Sequence, residues 1–158
     1  IKASLTGELI FSTLHTNNSV GAITRLIDMG IEPFLVSSSL ISATAQRLVR
    51  KLCPKCKVKE KPDNMLLKRL GINMKLKELF RPKGCSYCHN TGYRGRTALL
   101  EILLFDDTIR EMVAKRPSEE EIVEYAKKKK IFLSLKEDGL NKIIDGVTGL
   151  EEVLRVAG

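Results

Sequence analysis

Apolar positions along this chain change their period several times, and each change marks an element. Residues 8–14 (Glu-Leu-Ile-Phe-Ser-Thr-Leu) form a short apolar run ahead of the polar stretch from His15 to Ser19. That is the pattern of a buried strand entering a loop that caps a helix. Val20, Ile23, Leu26 and Ile27 follow at helical spacing, and Gly30 marks the stop. Pro33 is placed to open a second helix, with Phe34, Ile41, Ala45, Leu48 and Leu52 on one stripe. Ser37, Ser38, Ser39 and Ser42 on that helix are small enough to admit a neighbouring element. Residues 92–96 read as a turn into the apolar run 99–105, a second strand. The remainder reads as helical. Ser118 with Glu121, Ser134 with Glu137 and Thr148 with Glu151 each match a capping box, and Gly146 separates the last two.

A lone strand at 8–14 makes no sheet, so its partners are expected upstream of Ile1. The chain opens on Ile1 and not Met, which reads as a fragment. Its 158 residues suit one domain, or a small domain with the tail of another, and 43% apolar residues can build a core without disulfides. No apolar run approaches the about 20 residues of a membrane span, and no segment reads as a signal peptide. The net charge is +8 and unevenly spread. Lys51, Lys55, Lys57, Lys59 and Lys61 crowd one stretch, and residues 127–130 are four lysines that end a helix, where cations offset the dipole. A basic surface can meet nucleic acid, an acidic partner or anionic lipid, or simply be a solvated face.

The first lysine group surrounds Cys53-Pro-Lys-Cys56, which is matched downstream by Cys85-Ser-Tyr-Cys88. Two such C-x-x-C turns aim four soft ligands at one tetrahedral ion, so Cys53, Cys56, Cys85 and Cys88 are expected to hold structural zinc. Four thiolates on a divalent ion leave a charge of −2, which Arg50, Lys51, Lys55, Lys57, Lys83 and Arg94 are near enough in sequence to offset. Residues 57–84 then form an excursion closed at its base by metal, with Met65, Leu66, Leu70, Ile72, Leu76 and Leu79 as a small apolar cluster. A lobe of that size takes much of its folding energy from the metal, and the helical tail is expected to stay folded without it. Disulfides would need an oxidising compartment that nothing else suggests. A thioredoxin-like motif would need a βαβ context, whereas Cys53 follows a basic helix in this reading. Cys85-Ser-Tyr-Cys88-His89 also matches the haem c attachment pattern, but that would orphan the other pair and require export before attachment. Zinc is the reading adopted, with His89 a bystander.

Several ordered segments together resemble the type II secretion and type IV pilus assembly ATPases. Residues 5–7 and 12–17, through His15, resemble that family's His box. The likeness continues over residues 22–30, over 45–50 into Cys53, over 91–97, and ends in 135–140. It is weak only in 57–84. The resemblance implies a RecA-like P-loop ATPase acting as a homo-hexamer on the cytoplasmic face of the inner membrane, with ATP and magnesium as cofactors. Inner-membrane platform and adaptor proteins would be its partners, and nucleic acid would not. No G-x-x-x-x-G-K-[ST] occurs in the chain, so it is expected to be the part following Walker B and inactive alone.

On its residues alone, His15 is either a structural histidine or, at the carboxyl end of a strand, a group able to hydrogen-bond a terminal phosphate. The resemblance favours the γ-phosphate sensor. Arg25 could neutralise phosphate or pair with Asp28 on its own helix. By resemblance, Gln46 and Arg47 lie near the nucleotide. One departure stands out: the family usually has histidine at Glu8. A carboxylate facing phosphate is repelled, so Glu8 is expected to face away or to pair with a cation.

The expected fold is therefore α/β, the C-terminal part of a RecA-like ATPase domain with a tetracysteine zinc lobe and a helical tail. Residues 1–52 would belong to the ATPase core, 53–96 to the zinc lobe, and 97–158 to a strand and the tail. A zinc-stabilised nucleic-acid-binding module is the alternative, and the scarcity of aromatics to stack bases stands against it.

Overall fold

The computed structural model describes residues 1–62, 64–69 and 78–157. Its elements, in order, are α1 (Lys2–Leu5), α2 (Gly21–Asp28), α3 (Pro33–Ser39), β1 (Ser42–Leu52), β2 (Val58–Glu60), α4 (Asn64–Arg69), β3 (Leu79–Arg81), β4 (Tyr93–Leu104), α5 (Asp107–Ala114), α6 (Glu119–Lys128), β5 (Phe132–Leu133), α7 (Leu135–Ile144) and α8 (Leu150–Ala157). The mix of helix and strand matches the expected class. The chain groups into two units, residues 1–45 with 101–133, and residues 46–100 with 134–158. β1 and β4 each contribute to both.

The first unit is built on Val20, Ile23, Val36, Leu103, Ile109 and Val113, with Ile122 and Ala126. As expected, α2 buries Ile23 and ends ahead of Gly30, whose φ of 87° supplies the left-handed stop. The Glu101 carboxylate, nearly buried, accepts from both the amide and the hydroxyl of Ser19 at 2.7 and 2.8 Å, fixing the approach to α2. Asp106 caps α5 by accepting from the Ile109 amide at 2.8 Å, while its other oxygen accepts from the Tyr125 hydroxyl at 2.8 Å. β5 pairs antiparallel with β4, Ile102 opposite Leu133.

Two expectations fail in this unit. Residues 8–14 adopt no regular element, and Leu9 and Phe11 are 69% and 89% exposed. A strand needs a neighbour to take its amides and carbonyls, and none of the described residues supplies one. The helix opened by Pro33 stops at Ser39 and does not run on to Leu52. The hydroxyls of Ser37, Ser38 and Ser39 donate back to Phe34 and Leu35 carbonyls of the same turn, and Leu40 is extended. Residues 42–52 then form β1, which lies beside β4 in the sheet. The stripe read as helical is not the buried face, since Ile41 and Leu48 are exposed.

The second unit packs Val49, Leu67, Leu79, Leu99, Ile143, Leu150 and Val153 into one core. Within the excursion, β2 and β3 pair antiparallel, Lys59 opposite Phe80. Of the apolar cluster expected there, Leu79 is buried and Met65 is exposed, while Leu67 takes the buried place. The side chain of Leu66, and Leu70, Ile72 and Leu76, lie outside the described residues. The excursion is not independent of the tail. The Lys57 ammonium donates to the Gly146 carbonyl at 2.8 Å, and the Phe80 ring lies where a Cβ on Gly146 would be, 2.6 Å away. Two of the three capping boxes form, at Ser118–Glu121 and Ser134–Glu137. The Thr148 hydroxyl instead donates to the Arg50 carbonyl at 2.8 Å.

Candidate metal centre

Cys53 follows β1 directly, so the first cysteine turn ends a strand and not the basic helix expected from sequence. The Cys53 carbonyl accepts from the amides of Cys56 and Lys57, at 3.3 and 3.0 Å, which closes the turn and aims both sulfurs inward. The second turn is a short 3-10 segment, Ser86–Cys88, closed by Asn90 donating to the Cys85 carbonyl at 2.9 Å. His89 and Asn90 complete it in left-handed conformation. The Cys53 amide donates to the Gly92 carbonyl at 2.9 Å, which brings the two turns together. Gly92 allows this: its φ is 75°, and a Cβ there would fall 2.3 Å from Pro82.

The four sulfurs lie within 4.8 Å of one another. Cys53–Cys85, Cys56–Cys88 and Cys85–Cys88 are separated by 3.9, 3.8 and 3.8 Å. A ZnS₄ tetrahedron with bonds of about 2.3 Å has edges of about 3.8 Å, so the donor set fits zinc in size and in softness. These separations are far beyond an S–S bond, and all four cysteines are free thiols. Cys53, Cys56 and Cys88 are buried and Cys85 is partly so, the closed surroundings of a structural site. Burial pushes the Cys56 thiol up to about 11. Burial acts the same way on Cys88, but the amides of Cys85 and Gly92 donate to its sulfur at 3.3 and 3.2 Å and bring it down to about 6. His89 is exposed and stands outside the donor set.

The cations near the cysteines are placed more specifically than charge balance requires. The Arg50 guanidinium is taken by the buried Glu152 carboxylate at 2.8 Å and stacks 4.2 Å from the Tyr93 ring centre. Lys57 stacks on Phe80 at 4.5 Å. Lys55 and Arg94 both stack on Tyr87, each at 4.2 Å. Neither Glu152 nor Tyr87 was singled out from sequence, because Arg50, which Glu152 meets, and Lys55, which Tyr87 meets, are far away along the chain.

The proposed nucleotide residues fall in both units, and each is described within its own. His15 is exposed, in the irregular stretch ahead of α2 in the first unit. Arg25 lies on α2 and lines an open cavity of about 280 Å³ with Thr16, Asn17, Asn18, Thr24 and Asp28. Gln46 and Arg47 are exposed on β1, in the second unit. Glu8 is exposed, and among the described residues it has no ion pair. The last stretch of the sequence resemblance has a structural explanation. Asp138 accepts from the Leu100 amide at 2.8 Å, and Gly139 lets Val153 approach.

Two cysteine turns whose four sulfurs could hold one metal ion, set on a mixed α/β framework, define the class. The chain belongs to the family of type II/IV secretion system proteins, whose family model matches residues 1–155. It is similar to type II secretion system protein E of Pseudomonas aeruginosa, 49% identical over 99% of this chain and 31% of that protein. It is 48% identical to the type II secretion system ATPase E of Vibrio cholerae over the same two shares. It is 47% identical to the type IV pilus assembly ATPase PilB of Thermus thermophilus, over 97% of this chain and 17% of the relative. The chain thus spans about a third or less of the length of these relatives. Among the described residues, no helix is long and apolar enough to cross a membrane.

Proposed function

We propose that this chain is the C-terminal portion of a hexameric ATPase that powers type II protein secretion or type IV pilus assembly. The observation that carries the reading is similarity of nearly equal strength, across almost the whole chain, to ATPases named for each of the two machines. In this reading the segment around His15 belongs to a RecA-like core, at the cytoplasmic face of the inner membrane. ATP with magnesium supplies the phosphoryl chemistry when bound, and its phosphate cradle lies in sequence outside this chain. His15 donates a hydrogen bond to the terminal phosphate, and Arg25, Gln46 and Arg47 complement phosphate charge. The thiolates of Cys53, Cys56, Cys85 and Cys88 hold zinc as a structural clamp, away from the reaction. Platform and adaptor proteins of the inner membrane receive the resulting movement.

The test is made on the full-length protein. Sedimentation with magnesium and a non-hydrolysable ATP analogue is expected to give a hexamer, and magnesium-dependent ATP hydrolysis is expected from that species. A monomer without turnover overturns the proposal. Deleting the gene should abolish either secretion or surface pili, and which is lost identifies the machine.

A further inference from the structure

The second cysteine turn carries an arrangement that holding a metal does not require. Tyr87, between Cys85 and Cys88, is 38% exposed. The Lys55 ammonium and the Arg94 guanidinium each lie 4.2 Å from its ring centre. One ring thus holds two cations at stacking distance. Arg94 is further anchored by donating to the Tyr87 carbonyl at 2.9 Å. Lys51 lies on the neighbouring strand, its Cδ 4.0 Å from where a Cβ on Gly95, the residue after Arg94, would stand. All three cations are exposed, and none of them meets a carboxylate among the described residues. The Tyr87 hydroxyl likewise has no hydrogen-bond partner among them.

We propose that Lys55, Tyr87 and Arg94, extended by Lys51, form a docking site for an acidic protein segment. Stacking on one ring holds two flexible cations in place, so less side-chain entropy is lost when carboxylates arrive. The phenol hydroxyl adds a donor on the same edge, which suits a carboxylate oxygen. The same stacking argues against two other polyanions. With two cations already stacked on it, the Tyr87 ring has little surface left for a nucleobase, and base stacking is what single-stranded nucleic acid uses. Nor does the ring offer an apolar face to sink into a bilayer interface.

The experiment uses the zinc-loaded chain and a fluorescein-labelled hexaglutamate peptide, read by anisotropy. A hexaglutamine peptide, an oligothymidylate and mixed phosphatidylcholine–phosphatidylglycerol vesicles are run alongside. The site predicts saturable binding of hexaglutamate, weakened about tenfold by Lys55→Gln with Arg94→Gln. Lys129→Gln with Lys130→Gln removes the same charge elsewhere and should leave affinity within about twofold. Because Arg94 also braces the turn, Lys55→Gln alone is tested, with an expected loss of about threefold. Tyr87→Phe keeps both stacks and should weaken binding by a similar factor. Zinc content is measured on every variant. Equal losses from both double variants overturn the proposal, as do no effect of Lys55→Gln, no saturable binding, or tighter binding of the oligonucleotide or the vesicles.

Discussion

Glu152 takes three hydrogen bonds from a single residue, Arg50: from its backbone amide at 3.0 Å, its Nε at 3.1 Å and its Nη2 at 2.8 Å. Arg155, one turn along α8, adds two more, from its Nη2 at 2.6 Å and its Nε at 3.3 Å. The carboxylate is 2% exposed, and burial by itself would raise its pKa. The two guanidiniums reverse this and hold it at about 2. α8 is thereby bound to β1 through charge as well as through Leu150 and Val153.

That arrangement makes stability depend on acid. A carboxylate depressed from 4.5 to about 2 contributes fully above pH 4.5, and its contribution is lost as pH falls toward 2. The ceiling is about 3 kcal/mol, reduced because both guanidiniums are half in solvent. Urea unfolding at a series of pH values should show a steep decline in that window. Glu152→Gln should be less stable than the parent at pH 7 and should lose much less on acidification. Parallel curves for the two proteins would remove Glu152 from the account.

Gly139 sits inside α7, where a Cβ would fall 2.5 Å from the Val153 Cγ1. Val153 is fully buried and has nowhere to move. Gly139→Ala gains up to about 1 kcal/mol of helix propensity and incurs an overpacking cost of about 1–3 kcal/mol. A lower melting temperature is expected. Val153→Ala in the same chain should recover part of the loss, giving a double-mutant coupling of opposite sign to the single effect.

Elemental analysis should find about one zinc per chain. Chelation, or Cys88→Ser, should open residues 57–84 to protease. Since Lys57 and Phe80 meet Gly146, the turn between α7 and α8 should loosen too, by hydrogen exchange. A metal-free chain with a protease-resistant 57–84 segment would contradict the zinc assignment.

The 158-residue chain contains no G-x-x-x-x-G-K-[ST] motif, so purified on its own it should hydrolyse no ATP. Turnover above a denatured control would place catalytic residues in this chain that have not been recognised.

His15→Ala in the full-length protein should lower hydrolysis by about 10²–10³-fold, the value of one hydrogen bond made at the transferring phosphate. ADP affinity should hold, because ADP lacks the contacted group. If turnover stays near normal while the melting temperature drops by several degrees, His15 is a structural residue.

Local chemistry was enough, by itself, to mark the two cysteine turns, the stop of α2 at Gly30 and the capping boxes at Ser118 and Ser134. Each depends on residues three or four apart, and such spacing survives in any fold. Family membership was likewise legible, from ordered polar motifs. The tertiary structure alone decided the rest. Residues 42–52 satisfy a helical stripe, yet they form β1, because β4, some fifty residues on in sequence, supplies backbone partners that periodicity cannot see. Residues 8–14 carry a strand pattern and remain without a regular element, because a strand is stabilised by its neighbour and not by its own sequence. Thr148 has the spacing of a cap but donates to Arg50. Arg50 itself, counted among the cations offsetting the metal, is held by Glu152. For β1, Thr148 and Arg50 the deciding partner is remote in sequence, and only folding brings it within reach.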